Sequence, residues 1–212
     1  MDKGLVLRDV VIRKAGVAMV SLSREIASGQ VLTVMGPSGV GKSTLLAFIT
    51  GTLVKDFSAS GSVILDGHDI TTTPAHQRRV GILFQDDLLF PHLSVAQNLS
   101  FGLIEGGSAA ARRSVVEAAL EEVGLAGVGS RDPATLSGGQ KARVALMRML
   151  LSEPCALLLD EPFSRLDTAL RAQVRELVFA RAKARALPVL MVTHDAEDAR
   201  AAGGEIVTFA PS

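Results

Sequence analysis

The stretch "GPSGVGKST" (36–44) constrains the fold of this chain most strongly, because it fits a loop pattern that requires particular neighbours. Gly36, Gly41, Lys42 and Ser43 match G-x-x-x-x-G-K-[ST], with a strand pattern before them and a helical pattern after them. In such a loop, backbone N–H groups surround a β-phosphate, the lysine neutralises phosphate oxygens and the hydroxyl can bind Mg²⁺. The stretch predicts a phosphate-binding loop between a strand and a helix. The alternative is a glycine-rich turn with a chance lysine.

Strand patterns surround this loop, and a helical pattern follows later. Residues from about 5 to 35 alternate between polar and apolar types, and the Asp66-Gly67 pair is a turn signal between two short extended runs. From about Ser108 the period becomes helical, and Gly124 is placed to end the helix. The predicted apolar face of that helix contains Val115, Val116, Ala119, Leu120 and Val123. We expect a β-rich start followed by a helical portion.

Two continuous apolar runs, "ALLLD" (156–160) and "PVLMVTH" (188–194), are typical of strands buried on both faces. Between them, Asp167 is placed to cap a helix. The apolar positions on one face of that helix are Leu170, Val174, Leu177 and Val178. The order strand, helix, strand predicts a parallel sheet. The last strand candidate, "EIVTF", ends three residues from the C-terminus, so we expect no additional regulatory domain.

Two acidic residues, Asp160 and Glu161, stand at the carboxyl end of the first apolar run. Parallel sheets bind ligands at that edge, where Asp160 would hold Mg²⁺ directly or through water. Successive side chains of a strand point to opposite faces, so Glu161 would point away from Asp160 and polarise an attacking water. By itself, the same pattern is equally typical of an exposed acidic turn.

Composition excludes several classes of protein. The 22 Lys and Arg residues cancel the 22 Asp and Glu residues, so no overall basic field argues for a nucleic-acid partner. No apolar run approaches the roughly 20 residues needed to cross a bilayer, and the N-terminus lacks a signal-peptide pattern. A cytosolic protein is expected, which meets a membrane only through a partner. The single cysteine, Cys155, excludes an internal disulfide framework and is predicted to be a small buried residue entering a strand.

A second glycine-rich helix start, "LSGGQ" (136–140), stands between "GPSGVGKST" and "LLLDEP". With these motifs in this order, the chain resembles the nucleotide-binding subunit of ABC transporters over nearly its whole length. Gln85 in "ILFQDD" matches the Q-loop of that family, "SRLD" (164–167) matches its D-loop, and His194 matches its switch histidine. The resemblance implies an α/β P-loop NTPase fold, with a RecA-like parallel-sheet core, an N-terminal antiparallel β subdomain and a helical insertion subdomain.

The resemblance also implies how the chain is divided. A single ABC ATPase domain would cover 1–212. The β subdomain and P-loop core would occupy about 1–85, a helical subdomain with the signature motif 86–150, and the rest of the core 151–212.

ATP is expected to lie between two chains that pair head to tail, as in the family. One chain would hold the nucleotide with its P-loop and the adjacent strand end, through Gly36, Pro37, Ser38, Gly39, Val40, Gly41, Lys42, Ser43, Thr44 and Asp160. Its partner would cap the γ-phosphate from the signature and D-loop, with Ser137, Gly138, Gly139, Gln140 and Asp167. The second anion site of the chain would therefore serve the nucleotide of the partner.

Catalytic roles follow from the same resemblance. Glu161 resembles the general base, and His194 would contact the γ-phosphate and the attacking water. Gln85 would approach Mg²⁺ and link the site to the helical insertion, which in transporters receives the coupling helix of the membrane subunit. The implied Mg²⁺ ligands are Ser43, Gln85 and Asp160. For a lone histidine at a strand end, a structural role is the ordinary alternative. The other histidines are expected to be surface residues: His68, His76 and His92.

One departure from the family concerns the adenine base. The family usually stacks adenine on an aromatic residue near the end of the first strand, but this chain has no Tyr or Trp, and "VVIRKAGVAMV" has no Phe. Arg13 could supply a planar, cationic stack instead, or could be a solvated charge. We expect weaker discrimination between ATP and GTP than is usual in the family.

Within the family, the chain most resembles the compact ATPases of bacterial binding-protein-dependent importers. The stretch "FPHLSVAQNLSF" (90–101) resembles the importer form of its region, although an amphipathic surface stretch is an alternative reading. We expect a homodimer in the ATP-bound state, permease subunits, an extracytoplasmic solute-binding protein and no nucleic acid. The expected location is the cytoplasmic side of the inner membrane. The alternatives are an exporter or cell-division ATPase, and a non-transport ATPase acting on nucleic acid or the ribosome.

Overall fold

An antiparallel sheet forms the first part of the chain in the computed structural model, which describes residues 4–164 and 166–210. Its strand order is β2–β1–β4–β5, with β1 at Gly4–Lys14, β2 at Val17–Ala27, β4 at Phe57–Leu65 and β5 at His68–Asp69. Strands β4 and β5 are joined at Asp66 and Gly67, whose φ angles are 49° and 79°. Positive φ at both positions suits a tight hairpin, which confirms the turn predicted there.

A parallel sheet follows, in the strand order β6–β7–β8–β3–β9. Its strands are β3 at Val31–Met35, β6 at Val80–Leu83, β7 at Ala156–Asp160, β8 at Val189–Thr193 and β9 at Glu205–Thr208. All neighbouring pairs are parallel. The parallel sheet and the strand assignments for the two apolar runs are confirmed, because the first four residues of β7 and all five of β8 are buried.

Helices cover the parallel sheet and fill the stretch between β6 and β7. They are α1 at Lys42–Thr50, α2 at Val95–Gly102, α3 at Ala109–Glu122, α4 at Gly138–Leu150, α5 at Thr168–Ala184 and α6 at Ala196–Ala202, with short 3₁₀ turns at Ala75–Gln77 and Pro133–Thr135. The segment predicted to be helical is therefore α2, α3 and α4. Its division from the rest of the chain at 86 and 150 stays a prediction. Within the described ranges, no helix combines the length and apolarity that crossing a bilayer requires.

The parallel sheet separates two hydrophobic cores, because alternate side chains of its strands point to opposite faces. Leu158 and Leu190 join a core with the antiparallel sheet and α1. Leu157, Leu159 and Met191 join a core with α2 to α5. The carboxyl ends of β7 and β8 are thus fixed from both sides, and the polar residues that follow them are held on a rigid support.

Two details differ from the expectations. Val115 was expected on the buried face of α3, but it is 44% exposed, whereas its neighbour Val116 is 2% exposed. Adjacent helical residues are about 100° apart, so the apolar stripe is too narrow to bury both. Cys155 is only half-buried, because it lies before β7 at the edge of the core.

Candidate nucleotide-binding site

The predicted phosphate-binding loop connects β3 to α1, in the strand–loop–helix order that the motif requires. Gly41 is the N-cap of α1 and has a φ of 102°. A Cβ atom at this position would lie 2.6 Å from Cγ2 of Val20 on β2. Both the conformation and the lack of space therefore require glycine here, and the backbone N–H groups at the helix start are directed towards the loop, where an anion is favoured.

Hydrogen bonds to backbone carbonyl groups of the loop hold the Lys42 side chain inside it. The side chain is 8% exposed, and its Nζ donates to the carbonyl oxygens of Gly36 at 2.6 Å and Pro37 at 3.0 Å. The same Nζ lies 3.9 Å from Oε1 of Glu161. The ammonium group is therefore positioned at the centre of the site, where it can neutralise phosphate oxygens.

Asp160 ends β7 and faces the start of α1. The Ser43 hydroxyl lies 3.4 Å from Oδ1 of Asp160 and donates to it. Burial raises the pKa of Asp160, the Ser43 hydrogen bond lowers it, the Glu161 charge raises it and Lys42 lowers it, with a net rise above the ordinary value. A hydroxyl and a carboxylate at this distance, with the amide of Gln85 on the same cavity wall, are the hard oxygen donors that suit Mg²⁺.

Glu161 lies beyond the end of β7, and this corrects the sequence-based geometry. Its φ of 47° is left-handed, so the alternation of a strand does not apply to it. Its carboxylate is 12% exposed and enters the same cavity as Asp160. A non-glycine residue in this conformation is strained, which is typical of functional positions.

His194 follows β8 and contacts the Glu161 carboxylate. Its Nδ1 lies 2.9 Å from Oε1 of Glu161, and its backbone N–H donates to Oε2 at 3.4 Å. An ionised carboxylate only accepts hydrogen bonds, so this contact is a hydrogen bond in the tautomer that carries the proton on Nδ1. Thr193 also donates its hydroxyl to Oε2 at 3.1 Å. Sequence reasoning missed Thr193, although a hydroxyl residue at the end of an otherwise apolar strand was a usable signal.

The phosphate-binding loop and the polar residues that follow the strands line one cavity of about 260 Å³. Its lining residues are Ser38, Gly39, Gly41, Lys42, Ser43, Thr44, Gln85, Asp160, Glu161 and His194. The structure therefore brings together residues that are up to about 150 positions apart in the sequence, including every residue to which a catalytic or metal-binding role was assigned. Val40 instead places its side chain in the core, where it is 7% exposed.

The signature residues lie elsewhere, at the start of α4. Ser137 caps this helix in a reciprocal box: its hydroxyl accepts from the Gln140 N–H at 3.3 Å, and the Gln140 side chain accepts from the Ser137 N–H at 3.0 Å. Ser137 and Gly138 are exposed, while Gly139 packs against Leu170. None of these residues is among those that line the cavity, within the described part of the chain.

Asp167 and Arg13 also lie outside the cavity lining. Asp167 is exposed and caps α5, because its carboxylate accepts from the Leu170 N–H at 3.0 Å. Arg13 is half-buried near the end of β1, opposite Ala18 of β2. The aromatic ring closest to it in the sheet register is Phe57, which pairs with Lys14 and lies 5.6 Å below its ammonium group. The other predicted surface histidines, His68, His76 and His92, are exposed.

A phosphate-binding loop, a carboxylate at the adjacent strand end and a glutamate–histidine pair in one cavity define a nucleotide-binding protein of the P-loop class. The family model described as ABC transporter matches residues 19–164, and the chain belongs to this family. The expected α/β fold and family are therefore confirmed, and membership implies the binding and hydrolysis of ATP.

Curated relatives agree with this assignment. The chain is 53% identical over 173 residues to the ABC transporter ATP-binding protein YnjD of Escherichia coli (strain K12), covering 82% of this chain and 80% of that protein. It is 46% identical over 178 residues to the thiamine import ATP-binding protein ThiQ of Shigella flexneri serotype 5b (strain 8401), covering 84% and 75%. It is 42% identical over 193 residues to the Fe(3+) ions import ATP-binding protein FbpC of Agrobacterium fabrum, covering 91% of this chain and 54% of that protein.

Proposed function

We propose that this protein is the ATP-hydrolysing subunit of a solute importer and acts as a head-to-tail homodimer. The observation that carries the proposal is the separation of two anion sites on one chain. The P-loop residues converge with Glu161 and His194, whereas the exposed helix start at Ser137 and Gly138 is not part of that cavity. A second copy supplies this helix start to the nucleotide, and each chain completes the site of the other.

The geometry supports hydrolysis in the following way. Lys42 and the loop N–H groups hold the β- and γ-phosphates, and Glu161 accepts a proton from the attacking water. His194 stabilises the charge on the γ-phosphate from the neighbouring strand end. Ser43, Asp160 and Gln85 would hold Mg²⁺, whose charge would offset that of the phosphate oxygens. The contact between Glu161 and His194 fixes the base relative to the P-loop.

A groove beside the active site is the proposed docking site for the permease. It has a volume of about 360 Å³ and is lined by β6, α2 and α4, including Phe84, Phe90, Phe101 and Arg148. Phe101 is 68% exposed and Phe84 is 44% exposed. Large exposed apolar groups of this kind are typical of protein interfaces. Since Phe84 lines the groove and the next residue, Gln85, lines the cavity, movement of a docked permease segment would act on the cavity through Gln85.

The relatives' names support import as the direction of transport, because ThiQ is a thiamine import protein and FbpC an Fe(3+) import protein. We place the protein on the cytoplasmic face of the membrane, together with permease subunits and a solute-binding protein. In this proposal the transported solute passes through the permease and does not contact this chain.

Affinity capture from gently solubilised native membranes tests the proposal. The unmodified protein should recover a multi-spanning permease, and a recovered solute-binding protein would identify the class of solute. Phe101→Glu should lose the permease, because it places a charge in the apolar groove. Val54→Glu is the matched control, since Val54 is 60% exposed and does not line the groove. Recovery of ribosomal or DNA-processing proteins without a membrane partner would contradict the importer function.

A further inference from the structure

Arg171 in the first turn of α5 joins that helix to the start of α6. Its Nε donates to Oδ1 of Asp198 at 2.9 Å, and its Nη2 donates to Oδ2 of the same carboxylate at 2.5 Å. Nη2 also lies 2.6 Å from Oδ2 of Asp195. One guanidinium therefore holds two carboxylates, in a planar fork that a lysine cannot reproduce. We call Arg171, Asp195 and Asp198 the Arg171 clamp.

The clamp is shielded from solvent at one end. The Asp198 side chain is 2% exposed and that of Arg171 is 21% exposed. Hydrogen bonding to Asp198 is the largest of the influences that raise the pKa of Arg171 above its ordinary value. Burial raises the pKa of Asp195, but the hydrogen bond from Arg171 and two backbone N–H donors outweigh it, and the net pKa is lowered. Both groups are thus held in their charged forms.

From Asp195 the contacts continue into the active site. Asp195 follows His194 in the chain, and its backbone N–H donates to the Thr193 hydroxyl at 3.1 Å. That hydroxyl donates to Oε2 of Glu161, and Nδ1 of His194 contacts Oε1. Both oxygens of the Glu161 carboxylate therefore contact the segment 193–195. The last residue of this segment, Asp195, in turn contacts Arg171.

At its other end, the clamp begins beside the turn at Asp167. The Arg171 N–H donates to the Asp167 carbonyl oxygen at 2.8 Å, within the first turn of α5. Asp167 is exposed. In the proposed head-to-tail dimer it would be one of the residues that face the partner. Arg171 therefore connects the first turn of α5, which Asp167 caps, to Asp195 at the start of α6.

We propose that Arg171 is a positioning residue that fixes His194 and Glu161 through Asp195, so that contact with a partner copy at Asp167 sets the geometry of hydrolysis. The proposal rests on the head-to-tail homodimer described above. It assigns Arg171 no contact with nucleotide. Its effect appears in kcat rather than in the affinity of the P-loop for ATP.

Two variants test the clamp from opposite ends. Arg171→Lys keeps the charge but loses the fork. Asp195→Asn keeps one oxygen to cap α6, where Oδ1 accepts from the N–H groups of Glu197 and Asp198, and loses the charge that faces Arg171. Each should lower kcat by roughly 10- to 100-fold, with KM for ATP within about twofold of the wild type, because small displacements of reacting groups are costly. The double variant should lose no more than the stronger single variant.

Arg175→Lys is the matched control, one turn further along α5. Arg175 also reaches Asp198, at 3.2 Å, and Glu197, at 3.3 Å, so it makes a similar ion-paired link between the same two helices. No contact between Arg175 and Asp195 is present among the described residues. Its kcat should stay within about twofold of the wild type. An equal loss in this control, or wild-type kcat in both clamp variants, would overturn the proposal.

Hydrogen exchange gives a readout that does not depend on hydrolysis. Amides of 194–199 should exchange faster in Arg171→Lys than in the wild type or Arg175→Lys, in the absence of nucleotide. Unchanged exchange there would contradict the clamp. If the wild type itself released no phosphate from ATP, the proposed function would fail, while the exchange comparison would still test the clamp.

Discussion

Nδ1 of His194 lies 2.9 Å from Oε1 of Glu161, although the two residues are 33 positions apart and follow different strands. Strands β7 and β8 are neighbours in the parallel sheet, with Asp160 opposite Val192, so their following residues meet at one edge. This contact brings the proposed base and the proposed γ-phosphate ligand into a single unit beside Lys42.

Removing the base should trap the ATP-bound dimer. Glu161→Gln keeps the shape of the side chain but cannot accept the proton, so ATP remains in place and continues to hold both chains. Light scattering with saturating ATP and Mg²⁺ should show a dimer that persists, while the wild type returns to monomer as ATP is consumed. Glu117→Gln, on the exposed face of α3, should behave as the wild type. A Glu161→Gln protein that stays monomeric would count against the head-to-tail dimer, or would show that the permease is required to assemble it.

The two signature glycines should separate stability from dimer formation. A Cβ at Gly139 would overlap the Leu170 side chain, whereas a Cβ at Gly138 meets nothing within 4 Å. Gly139→Ala should therefore lower the free energy of unfolding by about 1–3 kcal/mol. Gly138→Ala should leave it unchanged or slightly raised, yet weaken ATP-driven dimerisation, because the added methyl group would face the partner's nucleotide. Urea titration and light scattering measure the two effects, and a stable Gly138→Ala protein with normal dimerisation would place the interface elsewhere.

A buried guanidinium should matter more for stability than its exposed neighbour. Arg78 is 5% exposed, and burial lowers its pKa. It donates to the backbone carbonyl oxygens of Phe48, Ile49, Thr71 and Thr73. Arg78→Lys should cost about 2–4 kcal/mol, because several of these acceptors lose their donors inside the protein. Arg79→Lys should change stability by less than about 0.5 kcal/mol, since Arg79 is exposed. Equal urea midpoints for the two variants would contradict this account.

Base selectivity should be weak. The described part of β1 offers Arg13, not an aromatic ring, where the family stacks adenine. A guanidinium plane stacks on either purine, so KM for GTP should lie within about tenfold of KM for ATP. Arg13→Ala should raise both KM values together. A strong preference of the wild type for ATP would show that another group recognises adenine.

Much of the fold could be predicted because its determinants are local. The continuous apolar runs at β7 and β8 indicate burial on both faces, and that requires no knowledge of their neighbours. The glycine pattern around Lys42 likewise predicts a phosphate-binding loop from local sequence alone. The prediction that Val115 lies on the buried face of α3 was wrong, because the spacing of apolar residues does not set how wide the buried face of a helix is. The predicted side-chain direction of Glu161 was wrong, because the alternation of apolar and polar residues does not define the exact residue at which a strand ends.

The Arg171 clamp could not be predicted in this way. Arg171 and Asp198 are 27 positions apart, and their contact depends on how α5 packs on α6. In the sequence, α5 and α6 contain charged residues at helical spacing, a pattern that is equally typical of helix faces exposed to solvent and of helices joined by ion pairs. Only the burial of Asp198 distinguishes the two cases.

Complementation between two inactive chains tests the central claim most directly, namely that each site is built from two copies. One variant, Lys42→Ala, cannot hold the phosphates but keeps its signature. The other, Ser137→Arg, blocks the signature but keeps its P-loop. Each should release almost no phosphate from ATP alone. In a mixture, the mixed dimer contains one site with an intact Lys42 from one chain and an intact Ser137 from the other, so phosphate release should return as the mixing ratio approaches equality. A mixture as inactive as its components would contradict the two-chain site.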